Sequence, residues 1–129
     1  MKPTFKTWAT LACAAAGSSA MAVGETREQA VEWGGAPQAS VLVFGDRLPA
    51  HHAAWVNGTM AHARDYDDTH DAAVLHAGVS VVPAALAAAQ LAGVTRGEDF
   101  IAGVAAGLET ISRLGLATRV SIIESGYMY

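Results

Sequence analysis

Cysteine is almost absent: Cys13 stands alone in a chain of 129 residues. A lone cysteine closes no intramolecular disulfide, and a conventional iron–sulfur cluster needs about three or four thiolates. Cys13 lies in an apolar run, where a small buried side chain is its plainest role. Charge is scarce too, at 16% of residues against 52% hydrophobic. That balance argues against disorder. It also leaves little charge to cover a monomer's surface, which points to burial against another subunit or more of the same chain. Lysine and arginine number 8 against 12 acidic residues, for a formal charge of −4. With no basic stripe, nucleic acid is not an expected partner. No apolar stretch reaches the roughly 20 residues needed to cross a bilayer, so no membrane partner is expected either. Repeats, linkers and low-complexity tracts are missing as well. The length allows at most one ordinary domain with a modest core.

What is present reads as helix. The N-terminal "MKPTFKTWATLACAAAGSSAMA" has two readings: a secretory signal over residues 1–22 with an A-x-A site at Ala20-Met21-Ala22, or a buried helix from Phe5 to Ala16 ending near Gly17. Glu25 to Trp33 continues helically until Gly34-Gly35 stops it. "ASVLVF", Ala39 to Phe44, is bounded by Pro37 and Gly45 and predicts one short extended segment. Pro49 suits the first turn of a helix that places Ala53, Val56, Met60 and Ala63 on one face. Asn57-Gly58 interrupts that helix: the glycine costs about 1 kcal/mol relative to alanine, unless it serves close packing. A loop is expected from Asp65 to Gly78, then an alanine-rich buried helix to Ala92 starting near Val82-Pro83. Thr95 and Glu98 have capping-box spacing for a last helix, along which Gly103, Gly107 and Gly115 form a small-residue face. The pattern is all-α, a helical bundle with one short extended segment.

Against this background the stretch "HARDYDDTHDAAVLH", His62 to His76, stands out. Asp65, Asp67, Thr69 and Asp71 alternate like the early ligands of a calcium loop. The sixth and twelfth positions, which require glycine and glutamate, are His70 and His76, so calcium fails. Asp67, Asp68 and Asp71 spell D-D-x-x-D, a pattern that binds magnesium and diphosphate in prenyl-chain enzymes, but short motifs are weak and basic residues are few. His62, His70 and His76 with an aspartate could hold zinc, at a spacing that matches no familiar motif. A solvated loop whose Asp67, Asp68 and Thr69 act as helix caps, with His70 exposed, is the bland alternative. Acid–base chemistry without a metal is the last: imidazole moves protons near neutrality, a carboxylate fixes its tautomer, and a hydroxyl holds the substrate. Asp65, Thr69 and His76 could form that set if the loop folds back on itself.

"VNGTMAHARDYDDTH", "LHAGVSVVPAALAAAQLAG" and "GLETISRLGLA" together resemble the MmgE/PrpD family, whose members include 2-methylcitrate dehydratase and cis-aconitate decarboxylase. More weakly, the resemblance extends upstream through "LACAAAGSS" and "EWGGAPQASVL". It implies a large all-helical domain plus a smaller α+β domain, a homodimer, and no cofactor or metal. Residues 1–129 would be the incomplete helical domain, lacking its C-terminal part and the α+β domain. The implied chemistry is dehydration, decarboxylation or isomerisation of a small di- or tricarboxylate. By motif position, Asp65, Thr69 and His76 are the expected catalytic residues, His76 as acid–base or carboxylate-binding group. Asn57, His62, Asp67 and Asp68 are expected to support the loop. Because "ATLACAAAGSS" matches the family's early core helix, the resemblance favours a cytoplasmic protein over a secreted one. Near the end, "SGYMY" puts Met128 where many relatives carry a histidine, and the substrate-binding lysines of the family lie beyond this chain's end. The expectation is a truncated N-terminal fragment without dehydratase activity of its own.

Overall fold

The computed structural model describes residues 18–118. The helix expected over Phe5 to Ala16, Cys13 and the Gly126 to Tyr129 segment with Met128 lie outside the described residues. In chain order the elements are α1 (Ser18–Trp33), β1 (Ala39–Ser40), β2 (Arg47–Leu48), α2 (Ala50–His62), α3 (Ala77–Ala92) and α4 (Gly97–Ala117). The fold is mostly helical, as the patterning implies. Helix α1 starts earlier than Glu25 and runs through Gly24; Gly34 and Gly35 then end it with φ of 65° and 113°. Gly35 allows a close approach, since a Cβ there would stand 2.6 Å from Pro49 Cγ.

The segment expected to be one strand over Ala39 to Phe44 is instead half of a hairpin. Only Ala39 and Ser40 pair, antiparallel with Leu48 and Arg47, and the chain turns at residues 42–44 with Val43 at φ 69°. The cause is a polar group under the hairpin. Asn57, buried in α2, accepts the Leu42 N–H at 2.9 Å and donates to the Ser40 carbonyl at 3.0 Å. Those bonds hold the backbone out of a longer ladder. Asn57 therefore braces the hairpin, not the acidic loop it was expected to support. Gln90 from α3 adds a third tie, accepting the Ser40 N–H at 2.7 Å.

The core is built of small side chains. Ala30, Ala39, Val41, Leu48, Ala53, Val56 and Ala87 form one buried cluster, and the largest fully buried residues are valines. Each buried valine contributes about 1.5–3 kcal/mol, and the small volumes let backbones approach closely. At the α2–α3 contact a Cβ on Gly58 would stand 3.1 Å from the Val79 carbonyl oxygen. Helix α3 begins at Ala77, ahead of the expected start near Val82, so Pro83 falls inside it. Pro83 has no N–H to return to Val79, so that carbonyl lacks its usual helical partner and faces Gly58 instead. Gly93, at φ 67°, closes α3, with the Val94 N–H bonded to the Ala89 carbonyl at 2.9 Å.

Helix α4 differs from its expectation in two respects. Its N-cap is Arg96 with no side-chain cap bond, and Glu98 pairs with Arg96, so the Thr95–Glu98 capping box does not form. It also spans 21 residues, long and apolar enough to cross a membrane by length and composition alone. The expectation that no stretch reaches that length fails because alanine, glycine and leucine fill the turns around Glu109 and Arg113, which pair at 2.5 Å. Gly107 packs on Val81 and Gly115 on Ala73 and Leu75, whereas Gly103 meets nothing and borders an open cleft along α3. No residue of α4 is buried.

Candidate active site

Helix α2 ends at His62, and His76 is the N-cap of α3, so two imidazoles stand at facing helix ends. The loop between them folds back on itself. The His70 N–H donates to the Leu75 carbonyl at 2.8 Å, and the Ala73 N–H donates to the His70 carbonyl at 3.1 Å and to His70 Nδ1 at 3.2 Å. His70 thus holds the turn and stands apart from the other two histidines. Asp65 takes the left-handed conformation at φ 54°, which a short polar side chain tolerates.

Asp67 is the centre of the site. Its carboxylate lies 3.0 and 3.1 Å from His62 Nδ1 and 2.9 Å from His76 Nδ1. The two rings meet edge to face, with centroids 4.8 Å apart. Burial pushes the Asp67 carboxyl up, but the His62 hydrogen bond, a backbone hydrogen bond and the charges of His62 and His76 outweigh it. The net position is below the ordinary aspartate range. An ionised carboxylate only accepts, so both Nδ1 atoms carry hydrogen and donate to it. In the neutral ring each Nε2 is then the nitrogen that keeps its lone pair. Asp65 Oδ1 stands 3.9 Å from His76 Nε2, beyond hydrogen-bond reach.

The other loop carboxylates have separate tasks. Both oxygens of Asp68 accept the Gly78 N–H at 3.0 Å, capping the first turn of α3 and complementing its dipole. A Cβ at Gly78 would fall 2.1 Å from Asp68 Oδ1, so a larger residue there would displace that carboxylate. Thr69 donates to Asp71 at 3.3 Å and is exposed. Asp67, Asp68 and Asp71 therefore point to three different partners and do not assemble as a magnesium set. Of the expected catalytic trio, Asp65 and His76 come together and Thr69 stands off. The carboxylate hydrogen-bonded to His76 is Asp67, where the motif assigned the orienting role to Asp65.

Beside His62 opens a cleft of about 420 Å³, lined by Trp55, Gly58, Thr59, His62, Val79 and Ser80 among others. Its wall was missed in the sequence, although Trp55, Thr59 and His62 recur at helical spacing on one face of α2. Trp55 also stacks on Trp33 at 5.5 Å. Arg64 is the cation nearest the loop in sequence, with its guanidinium 5.7 Å over the Tyr66 ring.

A family model described as the MmgE/PrpD N-terminal domain matches residues 8–126. The chain is also similar to the cis-aconitate decarboxylase-like protein oryM of Aspergillus oryzae (strain ATCC 42149 / RIB 40), with 36% identity over 84 residues. That alignment covers 60% of this chain and 17% of oryM, so the chain spans only a small part of that relative's length. No solved structure matches significantly.

Proposed function

The chain belongs to the MmgE/PrpD family, and from that premise we propose that the fold-back loop is one half of a carboxylate-lyase active site. The reaction class is proton transfer at a carbon next to a carboxylate: dehydration, decarboxylation or isomerisation of a small di- or tricarboxylate such as 2-methylcitrate or cis-aconitate. The observation that carries this reading is the pair His62 and His76 held on one ionised Asp67. Each imidazole is fixed in the tautomer that turns Nε2 into a base, and the proton it takes is returned to the product side or to solvent. In this reading Asp65 polarises His76, and Thr69 hydrogen-bonds the substrate once it lets go of Asp71. The cleft along Trp55 and Thr59 holds the substrate's body. Proton transfer through imidazole requires no metal.

The test uses the purified chain. Millimolar 2-methylcitrate or cis-aconitate should shift the imidazole resonances of His62 and His76 in NMR spectra and leave exposed His51 unmoved. Unmoved site resonances would sink the reading. Turnover is expected only where the cationic half of the site is supplied, so the 129 residues alone should not dehydrate 2-methylcitrate; measurable turnover would refute that part. The proposal includes a cytoplasmic homodimer, as membership of the family implies. N-terminal sequencing that finds cleavage after Ala22 would overturn the cytoplasmic placement.

A further inference from the structure

We infer that His62, His76, Asp67 and Asp65 form a reversible site for one divalent cation of the zinc class. One nitrogen or oxygen from each residue lies within 4.8 Å of the other three. The imidazoles come from the ends of two different helices, and the carboxylates from the loop between them, so the fold itself brings the set together. Two nitrogens and two oxygens suit a borderline cation, whereas magnesium prefers all-oxygen octahedral surroundings. With neutral imidazoles the cluster carries two negative charges, which a dication cancels.

The geometry needs a modest contraction, and each imidazole must turn or exchange its tautomer, because an Nδ1–H that donates to Asp67 cannot also bind the cation. Tetrahedral ligands at zinc bond lengths lie about 3.4 Å apart, so the widest separation must shorten by about 1.4 Å. The groups that must rotate are free to do so: the Asp65 side chain is 76% exposed and that of His62 47%, while Asp67 is held at 9%. His70, the remaining histidine of the loop, is committed to the turn. Binding consumes the imidazole lone pairs, so the cation acts as an inhibitor and not as a cofactor. That inhibitory consequence rests on the proposed function; the binding itself rests on the cluster alone.

The experiment is zinc chloride titrated calorimetrically into the metal-stripped chain in a non-chelating buffer near pH 7, with circular dichroism to confirm folding. One saturable site is expected, weakened at least about tenfold in H62A and in H76A and unchanged in H51A. X-ray absorption of the zinc-loaded chain should show two imidazoles on the metal. Should H76A fail to fold, half-exposed His62 and the absorption spectrum still decide. No saturable binding, wild-type affinity in H62A, or a spectrum without imidazole overturns the proposal. Carboxylate-induced shifts of the zinc-free chain are a separate readout, so the proposed function stands or falls independently.

Discussion

Asn57 and Asp67 are two sheltered polar side chains of the α2–loop region, and they are used in opposite ways. Asn57 sits in the core and bonds backbone groups of the hairpin. None of those groups titrates near neutrality, so that network keeps one shape at every physiological pH. Asp67 lies at the molecule's rim and bonds two histidines. Its network changes charge with pH and with whatever binds to it. The contrast separates polar burial that specifies a fold from polar clustering that supports chemistry.

The comparison can be broken first at its rigid end. Asn57→Leu strands the Leu42 N–H and the Ser40 carbonyl, and should cost about 2–4 kcal/mol, read as a lower urea midpoint; a change under about 1 kcal/mol would show the hairpin finds other partners. Gly58→Ala presses a methyl on the Val79 carbonyl and should cost about 1–3 kcal/mol, with the same measurement. Asp68→Ala removes the cap of α3 and should cost about 1 kcal/mol, together with faster amide exchange at Gly78. The titratable end responds to acid. Asp67 has a folded pKa below its unfolded value, so the stability from its ionised form is complete above about pH 4 and is lost as pH falls through the lower folded value. The Asp67→Asn protein should lack that acid-side loss; identical pH–stability curves would remove Asp67 from its central place. Smallest of all, Glu109→Gln on exposed α4 should change stability by less than about 0.5 kcal/mol.

How far the sequence reveals this depends on range. The helices and glycine stops were legible because apolar periodicity and positive-φ glycines act locally. The acidic loop was legible as a site because its residues are close together in the chain. The hairpin was not, since the turn at residues 42–44 is imposed by Asn57, fifteen positions from the N–H it accepts. The capping box failed for a different, local reason: Arg96, two positions away, captures Glu98. Nothing in D-Y-D-D-T says which aspartate meets His76; the left-handed Asp65 turns that choice toward Asp67.

Pro83 has a dynamic consequence. The first-turn N–H groups of any helix have no internal acceptors, and here the missing Pro83 N–H also leaves the Val79 carbonyl untied from the turn that follows. The opening turn of α3 is therefore anchored mainly from outside, by Asp68 on Gly78. It can open locally while the remainder of α3 stays wound. His76 rides on that turn, so an opening there would change the separation of the two imidazoles while leaving α2 in place.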